Sequence, residues 1–279
     1  MGLYRPDAPG QAGAGAEPHS INSPDPSTPR QASKAQQESI ELSGWGCYNR
    51  AMGAESTGVL EELPIFPLAT VLFPGAILPL HIFEDRYKAM MRYAIENSGQ
   101  FGLSYRADAE VDKETPLEIG SVGCAAKINA VMPLDENKMN VLSTGLVRYR
   151  ITELKQTEPF FVARIEPFSD DPEPGADISR LFDDTKEITE RYLAALQLLN
   201  DARTHDDIEL PEEAEAFSLF ICSALPVDND LKQRLLEITS TRLRLTRLRH
   251  YLINSMSAIN KRLMRHEGAK GNGHGKGLQ

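Results

Sequence analysis

The apolar positions of this chain change their rhythm twice. From Leu63 to Tyr87, LPIFPLATVLFPGAILPLHIFEDRY, they come in dense clusters cut by Pro64, Pro67, Pro74 and Pro79. Proline has no amide proton, so these positions mark strand starts, bulges and edges rather than a helix interior. The stretch predicts two short buried strands, Pro64 to Leu68 and Ala76 to Phe83, joined by a tight loop at Pro74-Gly75. A helix begins at Glu84 or Asp85 and carries Tyr87, Met90, Met91 and Ala94 on one face. Gly99 suits its C-terminal stop.

Next comes a period of two. Phe101 to Tyr105 is a short strand, and Ala107 to Pro116 is polar and loop-like. Glu118 to Leu134 contains Val122, Ala126, Ile128, Ala130 and Met132, the last four alternating. Asp135-Glu136-Asn137 turns into a second hairpin strand, Lys138 to Ser143, and Thr144-Gly145 reads as a break. Val147, Tyr149 and Ile151 alternate in a half-buried strand, Glu158-Pro159 breaks the chain again, and Phe161, Ala163 and Ile165 alternate in the last one. Short strands with turns every 8 to 15 residues predict a small barrel or a folded sheet.

From Ser169 the pattern becomes helical. Ser169 to Gly175 is a linker by composition. One stripe is Leu181, Ile188, Tyr192, Leu196 and Leu199; a second is Ala214, Phe217, Ile221 and Ala224, stopped by Pro226. Asp228 caps a helix bearing Leu231, Leu235 and Ile238. Ser240 or Thr241 caps the last helix, with Leu245, Leu248, Leu252, Met256, Ile259 and Leu263 in steps of three and four. The expected fold class is α+β, a β-rich barrel or folded sheet over residues 59–168 followed by a helical subdomain over 169–267. Residues 1–58, rich in Gly, Pro, Ser, Ala and Gln, are expected to be a disordered tail, and 268–279 a flexible Gly-rich one. Met52 is itself a plausible start, so the first 51 residues are either a tail or a misassigned start.

Charge adds an asymmetry. The net charge is −10. Residues from Leu231 onward hold eleven basic and two acidic residues, a net of +9, whereas the first 230 carry −19. Asp170 to Glu215 alone has fifteen acidic residues and four basic ones. Acidic and basic helices packing in one bundle account for this. The sharper alternative is a basic face for RNA built from Arg242, Arg244, Arg247 and Arg249. Cys47, Cys124 and Cys222 are far apart and odd in number, which points to a reducing compartment rather than a disulfide framework. A cytoplasmic location is expected, leaving a plastid-type organelle open. No apolar run reaches the ~20 residues of a membrane-spanning helix.

Catalytic patterns are missing. There is no GxxxxGK[ST] phosphate loop and no GxSxG elbow. His81 and Glu84 form too small a set for a metal, so His81 is expected to be a buried or half-buried structural residue. No catalytic residue, metal or cofactor is assigned.

Several motifs, in order, resemble the N-terminal domain of the Lon ATP-dependent protease. They are Leu63 to Leu68, Leu72-Phe73-Pro74-Gly75, Leu78 to Tyr87, Phe101-Gly102, Ile119 to Gly123, Gly145 to Arg150, Val162 to Pro167, Ala224 to Val227 and Lys232 to Glu237. The resemblance covers about Leu60 to His266 and implies a six-stranded PUA-like pseudo-barrel with a helical bundle behind it. It also implies substrate recognition. The family's ATPase and serine–lysine protease residues map to nothing in this sequence, so a stand-alone, non-catalytic module is expected. That module would bind unfolded or target polypeptides in protein quality control, as an adaptor with a separate protease as a further partner candidate. The candidate binding loop is Val71, Leu72, Phe73, Pro74 and Gly75, if it is an exposed apolar tip; folding back into the core is the equally weighted alternative. Glu84 and Arg86 are expected to brace the barrel-to-helix join, with Arg148 or Arg164 as partners.

Overall fold

The computed structural model describes residues 58–108, 116–173, 175–199 and 209–271. The tails expected at either end of the chain fall largely outside this set. Six strands form one sheet: β1 (Glu62–Leu68), β2 (Ile77–Ile82), β3 (Gln100–Tyr105), β4 (Val122–Pro133), β5 (Met139–Gln156) and β6 (Phe161–Phe168). Helix α1 (Asp85–Asn97) lies between β2 and β3, and α2 (Gly175–Leu199), α3 (Ala214–Ala224), α4 (Asn229–Leu236) and α5 (Thr241–Gly271) follow the sheet. The α+β class, a pseudo-barrel followed by helices, is as expected.

The sheet closes on itself through β5. Its 18 residues pair with β2 over Met139 to Thr144, with β4 up to Arg150, and with β6 from Arg148 to Gln156. Going round, β6 pairs with β1, β1 runs parallel to β3, and β3 returns to β4. Register shifts at Ile151/Glu153 and Leu154/Gln156 let so long a strand bend round the ring.

β1 explains how two prolines sit in a buried strand. Glu62 to Pro64 pair with β6, Phe66 to Leu68 pair with β3, and Ile65 alone pairs with both. Pro64 and Pro67 therefore each have a single flanking strand, and neither needs a donor on its open side. The barrel interior is filled by Tyr149, which is fully buried and shares a 2.9 Å hydrogen bond with Ser104 Oγ. Gly102 makes room for it: a Cβ there would lie 2.7 Å from the Tyr149 hydroxyl.

One expected break is absent. β5 runs straight through Thr144-Gly145, so the two strands read from the sequence are one. Gly145 is there for close approach rather than for a turn. Its amide donates to Ala76 O at 2.9 Å, its carbonyl accepts from Gly75 N at 2.8 Å, and a Cβ would overlap the Phe73 carbonyl.

The helix ends follow local chemistry. Gly99, at φ 68°, donates to Ala94 O at 2.7 Å and stops α1. The Asp228 side chain caps α4 through Leu231 N at 2.8 Å, and Ser240 Oγ accepts from Leu243 N at 3.0 Å at the start of α5. Leu245, Leu248, Leu252 and Ile259 of α5 are buried against Phe217 and Ile221 of α3 and Tyr192 of α2. The same core takes in Phe73 and Val122 from the sheet side, so the helices are seated on the barrel through a shared apolar core, distinct from the core under α1. No helix among the described residues is long and apolar enough to cross a membrane.

Candidate polypeptide-binding face

The loop Val71 to Gly75 is not an exposed tip. Leu72 is 3% and Phe73 0% exposed, Gly75 is buried, and Val71 and Pro74 are half-buried. Leu72 enters the core under α1, whereas Phe73 points the other way into the helical core. The bonds from Gly75 and Ala76 to Gly145 pin the turn onto β5, and burying two large side chains outweighs ordering so short a segment. This loop joins two cores.

The arginine face is also broken. On a helix, Arg244 lies on the side of Leu248, and it is fully buried. Arg242 and Arg247 are exposed, Arg249 is half-buried, and their spacing sets Arg247 well round the helix from the other two. Helical spacing could have separated Arg244 from the rest at the sequence level.

Arg244 belongs instead to an ionic knot between barrel and helices. Asp170 accepts from Arg148 Nη2 at 2.6 Å, from Arg244 Nη1 at 3.1 Å and Nη2, and from Thr241 Oγ1. Arg148 also donates to Glu215 Oε1 at 2.8 Å and to the carbonyls of Leu236 and Ile238 at 3.1 and 2.7 Å. Burial pushes the Asp170 carboxyl up, but the hydrogen bonds and charge of Arg244, with Thr241 and Arg148, outweigh it and hold the group below the usual carboxylate range. This corrects the expected bracing role of Arg148. Arg164 pairs with Glu62 at 2.9 Å, and Glu84 with Arg86 at 3.3 Å. Next to the knot, a cavity of about 330 Å³ is walled by Pro74, Leu146, Phe168 and Leu219 and rimmed by Glu213 and Glu215.

The surface that stands out is a three-stranded arm built from β2, β5 and the outer part of β4. Beyond Lys127, β4 leaves β3 and pairs with β5 alone. The register shifts between Ile128 and Ala130, so one residue is extra and the side chains change faces. Ile128 opposes the buried Ser143, but Ala130 and Met132 oppose Leu142 and Asn140 on the solvent side. The alternation of Ala126, Ile128, Ala130 and Met132 thus does not keep to one face.

Across the arm, two rows face solvent: Pro79, Leu142 and Ala130, then His81, Asn140 and Met132. Met132 is 55% and Leu142 36% exposed. Phe83, 56% exposed, stacks beside the His81 ring with centroids 5.9 Å apart. His81 is exposed rather than buried, because its strand position faces out; its Nδ1 shares a 2.8 Å hydrogen bond with Asn140 Oδ1. On the opposite face of the arm, Ile82 and Val141 belong to the buried core that also holds Tyr87, Met90 and Met91 of α1. The sequence reading missed this face because a bulge cannot be seen in an alternation pattern. Among the described residues no group of three His, Cys, Asp or Glu side chains is placed to hold a metal.

This architecture has known counterparts. The N-terminal domain of the Mycobacterium avium complex Lon protease superimposes with a TM-score of 0.54 at 20% identity, covering 68% of this chain and 97% of that one, and so shares the fold. A Lon protease of Chloroherpeton thalassium is 27% identical over 198 residues, which is 71% of this chain and 23% of that protein. Lon protease 2 of Herpetosiphon aurantiacus is 28% identical over 188 residues, 67% of this chain and 23% of its own length. The chain therefore spans less than a quarter of these relatives. A family model described as the ATP-dependent protease La (LON) substrate-binding domain matches residues 62–254, and the chain belongs to that family.

Proposed function

We propose that this chain is a non-catalytic binding module that takes up apolar segments of non-native polypeptides on the solvent face of the β2–β5–β4 arm, acting as a substrate-recognition adaptor in protein quality control. The observation that carries the reading is the exposure of Met132, Leu142 and Phe83 together on the solvent face of one sheet, whose other face gives Ile82 and Val141 to the core. Exposed apolar side chains that share one face mark interaction sites, whereas scattered ones do not. The description of the family as substrate-binding supports the same direction.

The test is the double variant Met132→Ser, Leu142→Ser. Covering the two side chains is worth roughly 1.5 kcal/mol or more, since full burial of each is worth about 1.5–3 kcal/mol. Capture of a fluorescent, reduced and carboxymethylated lactalbumin should weaken about tenfold, with thermal stability unchanged because neither side chain is in the core. Unchanged capture by the stable double variant would refute this face as the binding surface.

A further inference from the structure

The arm has an open edge, and we infer that a client polypeptide binds there as an added β-strand along β2. This inference rests on the reading of the arm as the client-binding surface and says how the client is held. In the strand order, β2 lies at one end and pairs only with β5; among the described residues nothing pairs with its outer side. In an antiparallel ladder, residues alternately exchange bonds with the partner strand and point away from it. The bond from Gly145 N to Ala76 O sets the phase. Leu78, Leu80 and Ile82 face Ser143, Val141 and Met139, and Ile77, Pro79 and His81 turn their main-chain groups outward. Pro79 agrees with this, since a residue without an amide proton belongs on the open side. The edge thus offers the N–H and C=O of Ile77, the C=O of Pro79, and the N–H and C=O of His81. A strand laid along it would place its side chains alternately beside Pro79, His81 and Phe83 on the solvent face and beside the half-buried Leu78 and Leu80 on the other. The substrate class is therefore an extended, apolar, sequence-tolerant segment held mainly by its backbone.

A client fits this edge better than a second copy of the chain does. Two β2 strands paired antiparallel with the largest overlap of outward groups set Ile77 against His81 and Pro79 against Pro79. The central pair then has no donor on either side and forms no hydrogen bond. Proline on an edge is a known guard against self-pairing, and a client without proline loses only one bond. The outer edge of β4 is less suited, because the shift at Ile128/Ala130 and Pro133 interrupt it.

Two measurements test the inference on the whole chain. Residue-resolved amide exchange, with and without saturating carboxymethylated lactalbumin, should show Ile77 and His81 protected about tenfold or more on binding, with Leu80 already protected. In parallel, His81→Pro removes one outward donor without touching the bonds to β5, and His81→Ala controls for the lost side chain. Capture should fall about tenfold for the proline variant relative to the alanine one. If the Ile77 and His81 amides exchange equally fast with client bound, and the two His81 variants capture equally, strand addition is wrong. When that outcome accompanies a capture defect in the Met132, Leu142 double variant, the apolar face still stands. A double variant that binds normally beside a defective His81→Pro would instead overturn the face and keep the edge. Concentration-dependent protection of Ile77 and His81 without client would assign the edge to a second copy and overturn the proposal.

Discussion

Asp170→Asn should cost this protein much of its stability. Asp170 is almost fully buried and stands between two guanidinium groups that are themselves out of water, those of Arg148 and Arg244. Asparagine keeps the shape but presents an amide where two arginines and Thr241 donate, and it removes the negative charge. Glu215, about a third exposed, would remain opposite Arg148. Leaving a buried charge without its partner costs about 3–5 kcal/mol. For a domain whose whole stability is about 5–15 kcal/mol that is a large share, and at about 2–4 °C per kcal/mol the midpoint should drop by roughly 6–20 °C. Urea unfolding followed by circular dichroism at pH 7 measures it directly, as a lower midpoint at unchanged slope. A loss below about 1 kcal/mol would refute the reasoning, because it would mean the knot behaves like a surface ion pair. The pH dependence carries a second signature. The folded Asp170 carboxyl lies below its ordinary value of 3.8, so the unfolded chain binds its proton first on acidification. Its stabilisation is present above that ordinary value and is lost as pH falls through the lower folded one. The wild type should lose this increment below about pH 4, and the asparagine variant, having none, should show a flatter acid limb.

Three further outcomes follow from the same interior. Phe73→Ala should destabilise by about 3–5 kcal/mol through the cavity it leaves, while capture per mole of folded protein stays normal; calorimetry and the binding assay together check this. Gly145→Ala should cost about 2 kcal/mol or more, because its Cβ would run into the Phe73 carbonyl, which is backbone and pinned, and a urea midpoint reads it. Cys124 and Cys222 should resist thiol reagents in the folded state, since both are buried and burial pushes the Cys222 thiol up to about 12 and the Cys124 thiol higher still. Labelling at a rate independent of unfolding would contradict that.

Much of this architecture can be read from residue order, and the failures have physical causes. The periods of two and of three to four located the strands, α1 and α5, and the caps at Asp228 and Ser240 are chemical signals that need no tertiary context. Gly145 misled because glycine serves both turns and close backbone approach, and only the nearness of Phe73 separates the two. Leu72 and Phe73 gave no sign of direction: a short apolar loop looks the same whether it projects or folds in, and here its two side chains enter different cores. Arg244 was grouped with its neighbours by charge, although its helical position already set it among leucines. The arm escaped notice because one extra residue near Asn129 turns Ala130 and Met132 to the side of Leu142, and a bulge leaves no trace in composition.

The four prolines between Leu63 and Tyr87 now have distinct reasons, and these move the functional weight within the stretch. Pro64 and Pro67 fit β1 because each half of that strand has one partner, and Pro74 precedes the turn that Gly75 bonds to β5. Pro79 has no such structural demand upon it: an ordinary residue could occupy the outward side of an edge strand. Its effect is selective, since it weakens pairing of the chain with its own copy by two donors but pairing with a foreign strand by one. Pro79→Ala should therefore leave the fold intact, strengthen client capture slightly and bring on association of the chain with itself. Sedimentation velocity across a concentration series would show the last. A variant that stays as monodisperse as the wild type at every concentration would mean that Pro79 guards nothing, and would count against the edge as the proposed client site.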